Sequence, residues 1–396
     1  MRRSDGRILT THTGSLPRPK NLTHLFSKRT AGDAADNAEI ARVGLEAVDW
    51  VLKKQIETGI DVINNGEQQR ESFFLYLRER LTGLGGSWQR PSRADVERYP
   101  EFKAMFQESH RIAVERRSAV SGVTMPKAIG EVRYQNREAI QSECADLRAA
   151  LKQAGNGYSE VFMSSPSPGI IVTTIANEHY DSEAAYLDAL STALKVEYEA
   201  IVANGFVLQI DAPDLALERH MTFANRPVSD FLNFVERIVA GINKALLNIP
   251  RDRVRLHVCW GNSESPHDCD VPLEEILPLL LRVNVGAFVL PFANPRHAHE
   301  IRYFRDFPLA DDQLLAVGVI DPLTNFVEHE ELIAERIERA AAVVGDPTRI
   351  LAGTDCGFES AAGGGRVAED VAWAKLASLT KGAAIASERL FGRSAR

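Results

Sequence analysis

The sequence holds little cysteine: four residues in 396, Cys144, Cys259, Cys269 and Cys356. That is too few, and too scattered, for a disulfide framework in a chain of this size, so reduced thiols are expected. No apolar run approaches the roughly 20 residues that cross a bilayer. The polar start MRRSDGR lacks the apolar segment of a secretory signal, and a cytoplasmic protein without a membrane partner is expected. A basic excess is also missing, with 46 Lys and Arg against 54 Asp and Glu and a net charge of −8. Nothing therefore tracks a phosphate backbone, which argues against a nucleic-acid partner. Internal repeats and low-complexity linkers are absent too, so a second domain has no marker. What remains, 44% hydrophobic and 25% charged residues, is an ordinary globular composition. The length suits one (β/α)₈ barrel domain over 1–396 with an insertion.

From about residue 183 the chain alternates helical patterns with short β-branched runs, the mark of βα units around a parallel sheet. Helices are predicted near 183–203, 228–247, 272–283, 296–305, 327–344 and 367–389. The runs between them are FVLQI (206–210), VRLHV (254–258), AFVL (287–290), LLAVGVI (314–320) and RILAG (349–353). Three further strands are sought at ILTTH (8–12), DVINN (61–65) and within VFMSSPSPGIIVTTI (161–175). Residues 70–155, rich in Arg and Glu, read as a mostly helical insertion after the second strand, with a short extended piece at PKAIGEVRY.

An open doubly wound sheet shows the same alternation. The placement of polar residues separates the two folds. Ser15, Glu67, Asp211, His257, Cys259, Asn294, Asp321 and Cys356 each follow a predicted strand. A barrel gathers such positions on one rim, whereas an open sheet spreads them along an edge.

In LHVCWGN, His257 and Cys259 stand two apart at a strand end and so point to one side. Cys356, in LAGTDCGF, ends the last predicted strand, and barrel closure brings it to the same mouth. Gly353 and Gly357 are expected to let the backbone turn and expose the sulfur. One imidazole and two thiolates suit zinc, Zn²⁺. The alternative is two core cysteines and a histidine bonded to backbone. A second pair of the same spacing, His267 and Cys269, falls in the loop SESPHDCDVP and is the competing site. Asp270 there is expected to cap the next helix, ahead of Pro272.

These residues resemble the cobalamin-independent methionine synthase family, in its short members that correspond to the catalytic C-terminal barrel. The stretches that carry the resemblance are THTGSLPRP, NNGEQQRESFF, SPGIIVTTIANEHYDSEAAYL, LQIDAPDLAL, HVCWGN, FANPRHAHE and VEHEELIAERI through GTDCGF, in that order. The resemblance implies a zinc site on His257, Cys259 and Cys356 that receives a substrate thiol and holds it as the thiolate, ready to attack an electrophilic carbon. It further implies that Glu67 and Asp211 grip the ammonium group of homocysteine and that Ser15 positions its carboxylate.

Two departures stand out. The family's fourth ligand is a glutamate on the strand after His-x-Cys, and the ANPRH segment aligns Pro291 with it. The fourth position is then open, or filled by Cys269, Asn294, His297 or Glu300. The family's histidine shortly after the aspartate of the next strand is also missing, since Asp321 is followed by Pro322 and Leu323. Asp321 is the candidate catalytic acid, against a plain role as a turn residue.

The expected function is zinc-dependent transfer of a methyl or alkyl group from a small-molecule donor, with methylated folate the family default, to a small-molecule thiol. Opening of an epoxide by a thiol, as in the epoxyalkane:coenzyme M transferases, is the first alternative, and a metal-binding protein without turnover is the second. The oligomeric state is left open, a homo-oligomer included.

Overall fold

The computed structural model describes residues 1–120 and 124–392. Residues 121–123 of the expected insertion and 393–396 of the expected domain lie outside them. Eight parallel strands run β1 (Leu9–Thr10), β2 (Val62–Ile63), β3 (Glu160–Pro166), β4 (Val207–Asp211), β5 (Val254–His257), β6 (Ala287–Pro291), β7 (Leu314–Ile320) and β8 (Ile350–Thr354). Each pairs with its neighbour in chain order, β8 returns to β1, and a bridge between Thr11 and Val62 joins β1 to β2. The fold is the expected (β/α)₈ barrel. The strand within residues 161–175 occupies its first half, because Ser167 caps a short helix, Pro168–Thr174, through the amide of Ile170.

Strand alternation layers the barrel interior. Leu9, Val62, Phe162, Val207, Val289 and Leu351 form an apolar plug at the N-terminal end. Above it, register sets Gln209 beside Arg255 and, one repeat further, Asp211 beside His257. The Arg255 guanidinium lies 3.5 Å from the centroid of the Phe162 ring. It donates to Gln209 Oε1 at 2.8 Å, to Thr11 Oγ1 at 3.0 Å and to the His12 carbonyl at 2.9 Å. Gln209 Nε2 in turn donates to Asp211 Oδ1 at 2.7 Å. The apolar floor thus carries a hydrogen-bonded polar layer, and that layer aims the rim residues.

The expected insertion is shorter than 70–155. Helix Arg137–Ala154 leads into β3 and packs between Asn37–Thr58 and Glu183–Ala203, so it belongs to the outer ring. The remainder carries a small sheet in which Leu84–Gln89 runs antiparallel to Thr124–Ala128, itself parallel to Ala176–Asn177. A buried ion network clamps this roof to the ring: Arg70 and Arg80 both reach Glu143, at 2.8 and 2.5 Å, and Arg80 also reaches Glu197 at 2.9 Å. Helix 296–305 is a 3₁₀ segment, Ala298–Arg305.

Candidate functional site

The site lies at the C-terminal ends of the strands, beneath the roof. His257 is the last residue of β5, and its Nδ1 lies 3.2 Å from the Val289 carbonyl. A carbonyl only accepts, so Nδ1 carries the proton and Nε2 presents a lone pair. That Nε2 is buried and has no hydrogen-bond partner among the described residues, an arrangement costly to leave unmade and typical of a ligand oriented by its other ring nitrogen. The Sγ atoms of Cys259 and Cys356 stand 3.9 Å apart, and these three ligand atoms lie within 4.8 Å of one another. Two thiolates on one tetrahedral zinc, with bonds of about 2.3 Å, span an edge of roughly 3.8 Å. The donor set fits zinc in chemistry and in spacing.

The hydrogen bond between the two sulfurs holds Cys259 well below the ordinary thiol range, against the effect of burial, and together with burial raises Cys356. Burial opposes charge on His257, yet the neighbouring Cys259 outweighs it and raises the histidine's pKa. Cys259 is thus tuned by both of the others and acts on each of them, the kind of mutual perturbation that marks functional sites.

A cleft of about 710 Å³ opens on one side of the cluster and is lined by Ser15, Glu67 and Asp211 among others. Glu67 sits in the left-handed region, at φ 56°, a conformation that costs a non-glycine residue energy and persists only where its surroundings enforce it. Its amide donates to Asn65 Oδ1 at 3.0 Å and its carbonyl accepts from Arg18 at 2.9 Å. Its Oε1 accepts from Ser164 at 2.7 Å, while Oε2 is buried with no partner. Burial pushes Asp211 up to about 7, with Glu67 adding to the rise and His257 opposing it. Two crowded carboxylates with unused acceptor capacity make a receptor for a cation. Ser15 closes this wall, and its Oγ would lie 2.0 Å from a Cβ on Gly357. Gly357 is therefore required by close approach. Neither it nor Gly353 has a positive φ.

A smaller cavity of about 340 Å³ lies against the other side of the two cysteines, lined by Pro291, Asn294, His297, Asp321 and Asp355. Pro291 offers no donor atom there. The other candidates for a fourth ligand have partners of their own. His297 lies between Asp270 and Glu300, at 2.9 and 2.7 Å, and stacks on Trp260. Glu300 Oε1 accepts from the amide of Leu273 at 2.9 Å, so Glu300, and not Asp270, caps that helix. Asn294 Oδ1 accepts from the amide of Arg296, and Cys269 lies beside Arg98. Asp321 faces this cavity, with Oδ1 taking the amide of Leu323 at 2.9 Å in the manner of a turn residue.

The competing pair does not converge. His267 places Nδ1 on Asp270 and Nε2 on the Ser263 carbonyl, both at 2.9 Å, leaving no nitrogen free.

Three contributions escaped the sequence reading. Asp355 accepts from the amides of Phe292, Ala293 and Asn294 at 2.7–3.0 Å, fixing the chain after Pro291; burial pushes its pKa up to about 7. Arg90 and Arg93 enter the cleft from the roof. The pairs Gln209/Asp211 and Arg255/His257 were the available signal, polar residues two apart within strands.

No family model matches the chain. A protein named methionine synthase from Sulfurisphaera tokodaii is 24% identical over 383 residues, covering 96% of this chain and 93% of that protein. One of the same name from Sulfolobus acidocaldarius is 22% identical over the same shares of each. The chain is a homologue of these proteins named methionine synthase. The fold is shared with the B12-independent methionine synthase of Shewanella sp. W3-18-1, solved with selenomethionine, which matches with a TM-score of 0.72 at 19% identity, covering 98% of this chain and 100% of that one. Pro291 and the segment Asp321, Pro322 and Leu323, where the sequence departs from the resemblance, both line the smaller cavity beside Cys259 and Cys356.

Proposed function

We propose that this protein is a zinc-dependent transferase that methylates the sulfur of homocysteine or a closely related amino thiol, with His257, Cys259 and Cys356 holding the metal. The observation that carries the reading is the unpartnered, buried Nε2 of His257 beside two sulfurs 3.9 Å apart, facing a cleft in which Glu67 Oε2 is also unpartnered. The names of the relatives support the reaction class, and the selenomethionine in the Shewanella structure supports an amino-acid ligand.

Bound on this triad, zinc supplies the Lewis acidity that keeps a coordinating thiol deprotonated at neutral pH. The remaining work falls to the chain. Glu67 and Asp211 hold the ammonium group from two strands, and Ser15 borders the carboxylate beside it. The aromatic pair Phe73 and Phe74 lines the cleft on its apolar side. In the transfer a sulfur–carbon bond forms as the donor's bond to its methyl group breaks, and the donor's leaving atom then needs a proton. Asp321, in the smaller cavity, is the candidate source in this reading. Asp321→Asn that keeps zinc and substrate binding but loses turnover would support the assignment, and unchanged turnover would return Asp321 to its turn.

The test of the function as a whole is metal analysis combined with methyl transfer to homocysteine. About one zinc per chain and formation of methionine are expected, with both lost in Cys259→Ser and Cys356→Ser. Full zinc content after both changes would overturn the site. A second reading, opening of an epoxide by a sulfonate-bearing thiol, draws support from Arg90 and Arg93 in the cleft wall. It would replace the first if the parent protein bound only thiols that lack an amine.

A further inference from the structure

Arg93 differs from the other arginines near the site. Arg18 lies 3.9 Å from Glu359, Arg70 reaches Glu143, and Arg90 is paired with Glu218. Arg93 has no ion pair among the described residues, and its side chain donates only to Ser263 Oγ. Its guanidinium packs over the backbone of Gly261, where a Cβ would come within 3.1 Å of NH2 and where φ is 105°, so glycine is needed for this approach. Arg90 stands beside it in the cleft wall, its Nε buried without a partner.

The roof holds Arg93 in place from behind. Asp95, two residues on, accepts from Ser265 Oγ at 2.7 Å and from the amide of His267 at 3.1 Å. Tyr99 reaches Asp268 at 2.9 Å. The segment is thereby fastened to the loop that follows Cys259. A cation that is fixed in a cleft wall, partly desolvated and without a carboxylate of its own is built to receive an anion.

The position indicates whose anion it receives. In homocysteine the carboxylate and the ammonium group share the α-carbon, so the carboxylate stays by Glu67, Asp211 and Ser15 while the sulfur reaches the cysteines. Arg93 lies beyond the sulfur site, over the residue two past Cys259. We propose that Arg93, backed by Arg90, binds an anionic group of the alkyl donor, a carboxylate or a group of like charge. The apolar body of the donor lies along Phe73, Phe74 and Leu217. This assignment rests on the proposed transfer and makes the cleft bipolar: acids of the barrel take the acceptor's cation, and arginines of the roof take the donor's anion.

The test is calorimetric titration of the zinc-loaded protein with three probes: homocysteine, 5-methyltetrahydrofolate with its glutamate carboxylates, and 2-mercaptoethanesulfonate. Arg93→Gln should weaken 5-methyltetrahydrofolate at least tenfold, leave homocysteine within twofold and keep the zinc. Arg93→Lys should recover part of the loss, since the charge returns without the planar fork. An undiminished affinity for the folate probe in Arg93→Gln overturns the proposal, as does a parent protein that binds homocysteine but not the folate probe. An equal loss of homocysteine would move the anion to the acceptor and also overturn it. If the parent ignores homocysteine but binds 2-mercaptoethanesulfonate, and Arg93→Gln abolishes that binding, the proposed function falls. The assignment of Arg93 to the donor then falls as well, since the anion it binds is the thiol's.

Discussion

The chain contains the same pair twice. His257 and Cys259 end a strand; His267 and Cys269 stand ten residues further on, in a loop. On the strand, residues two apart share a face by geometry, so ring and sulfur turn together toward Cys356. In the loop no such rule holds: His267 takes the left-handed backbone, at φ 54°, and spends both nitrogens within the protein. Its cysteine lies outward beside Arg98 and Asp268. Spacing is therefore informative only together with the backbone that carries it. An unpartnered ring nitrogen separates the candidate ligand histidine from the structural one.

The largest effect expected from breaking this comparison is at the strand pair. Cys259→Ser with Cys356→Ser removes two of the three proposed ligands, and zinc measured by atomic spectroscopy should fall from about one per chain to nearly none.

The next largest is at the loop pair. Asp270 faces His220 at 2.7 Å and His267 and His297 at 2.9 Å. Burial would raise its pKa, but the histidines outweigh it and hold the carboxyl far below its usual range. Asp270 and, for His297, Glu300 overcome burial to raise the pKa values of His267 and His297. Asp270→Asn leaves buried imidazoles without their anion and should cost about 3 kcal/mol in chemical denaturation. The sign of the pH effect follows from the raised histidines. Their stabilisation is fully present below the unfolded pKa of about 6.5 and is lost as pH rises through the higher folded value. The parent should thus lose Tm between mildly acidic and alkaline pH, and Asp270→Asn should flatten that decline. An equally steep decline in the variant would show that other groups cause it.

Smaller again is the effect at the cation receptor. Glu67→Gln or Asp211→Asn removes a charge-assisted contact of roughly 1.5–3 kcal/mol, so homocysteine should bind about one to two orders of magnitude more weakly. Zinc should remain. Unchanged affinity in both variants would remove the amino-acid substrate from the reading.

The barrel was legible because its strands are uninterrupted apolar runs such as LLAVGVI, buried throughout. The roof was not. LGGSWQ reads as a loop and becomes a strand only by pairing with Thr124–Ala128, with glycine needed at Gly83 because a Cβ would fall 2.5 Å from the Gly130 carbonyl. Helix Arg137–Ala154 was assigned to the insertion because polar residues on both sides blur its start. Within the site, strand-end residues could be read in order along the chain. Arg93, Asp355 and the partners of Asp270 could not, because each is defined by contacts with residues distant in sequence.

The smallest expected effect is also the sharpest check on the two pairs. Cys269 lies outside the cluster of ligand atoms formed by His257, Cys259 and Cys356, and its sulfur has only Arg98 and Asp268 for company. Serine keeps the size and offers a hydroxyl to the same partners. Cys269→Ser should therefore leave zinc at about one per chain and shift stability by less than about 0.5 kcal/mol, as surface changes away from special features do. A large loss of zinc would mean that the loop swings in and that Cys269 fills the position Pro291 leaves open. The loop pair would then be half of the site, and the distinction between strand and loop would fail where it matters most.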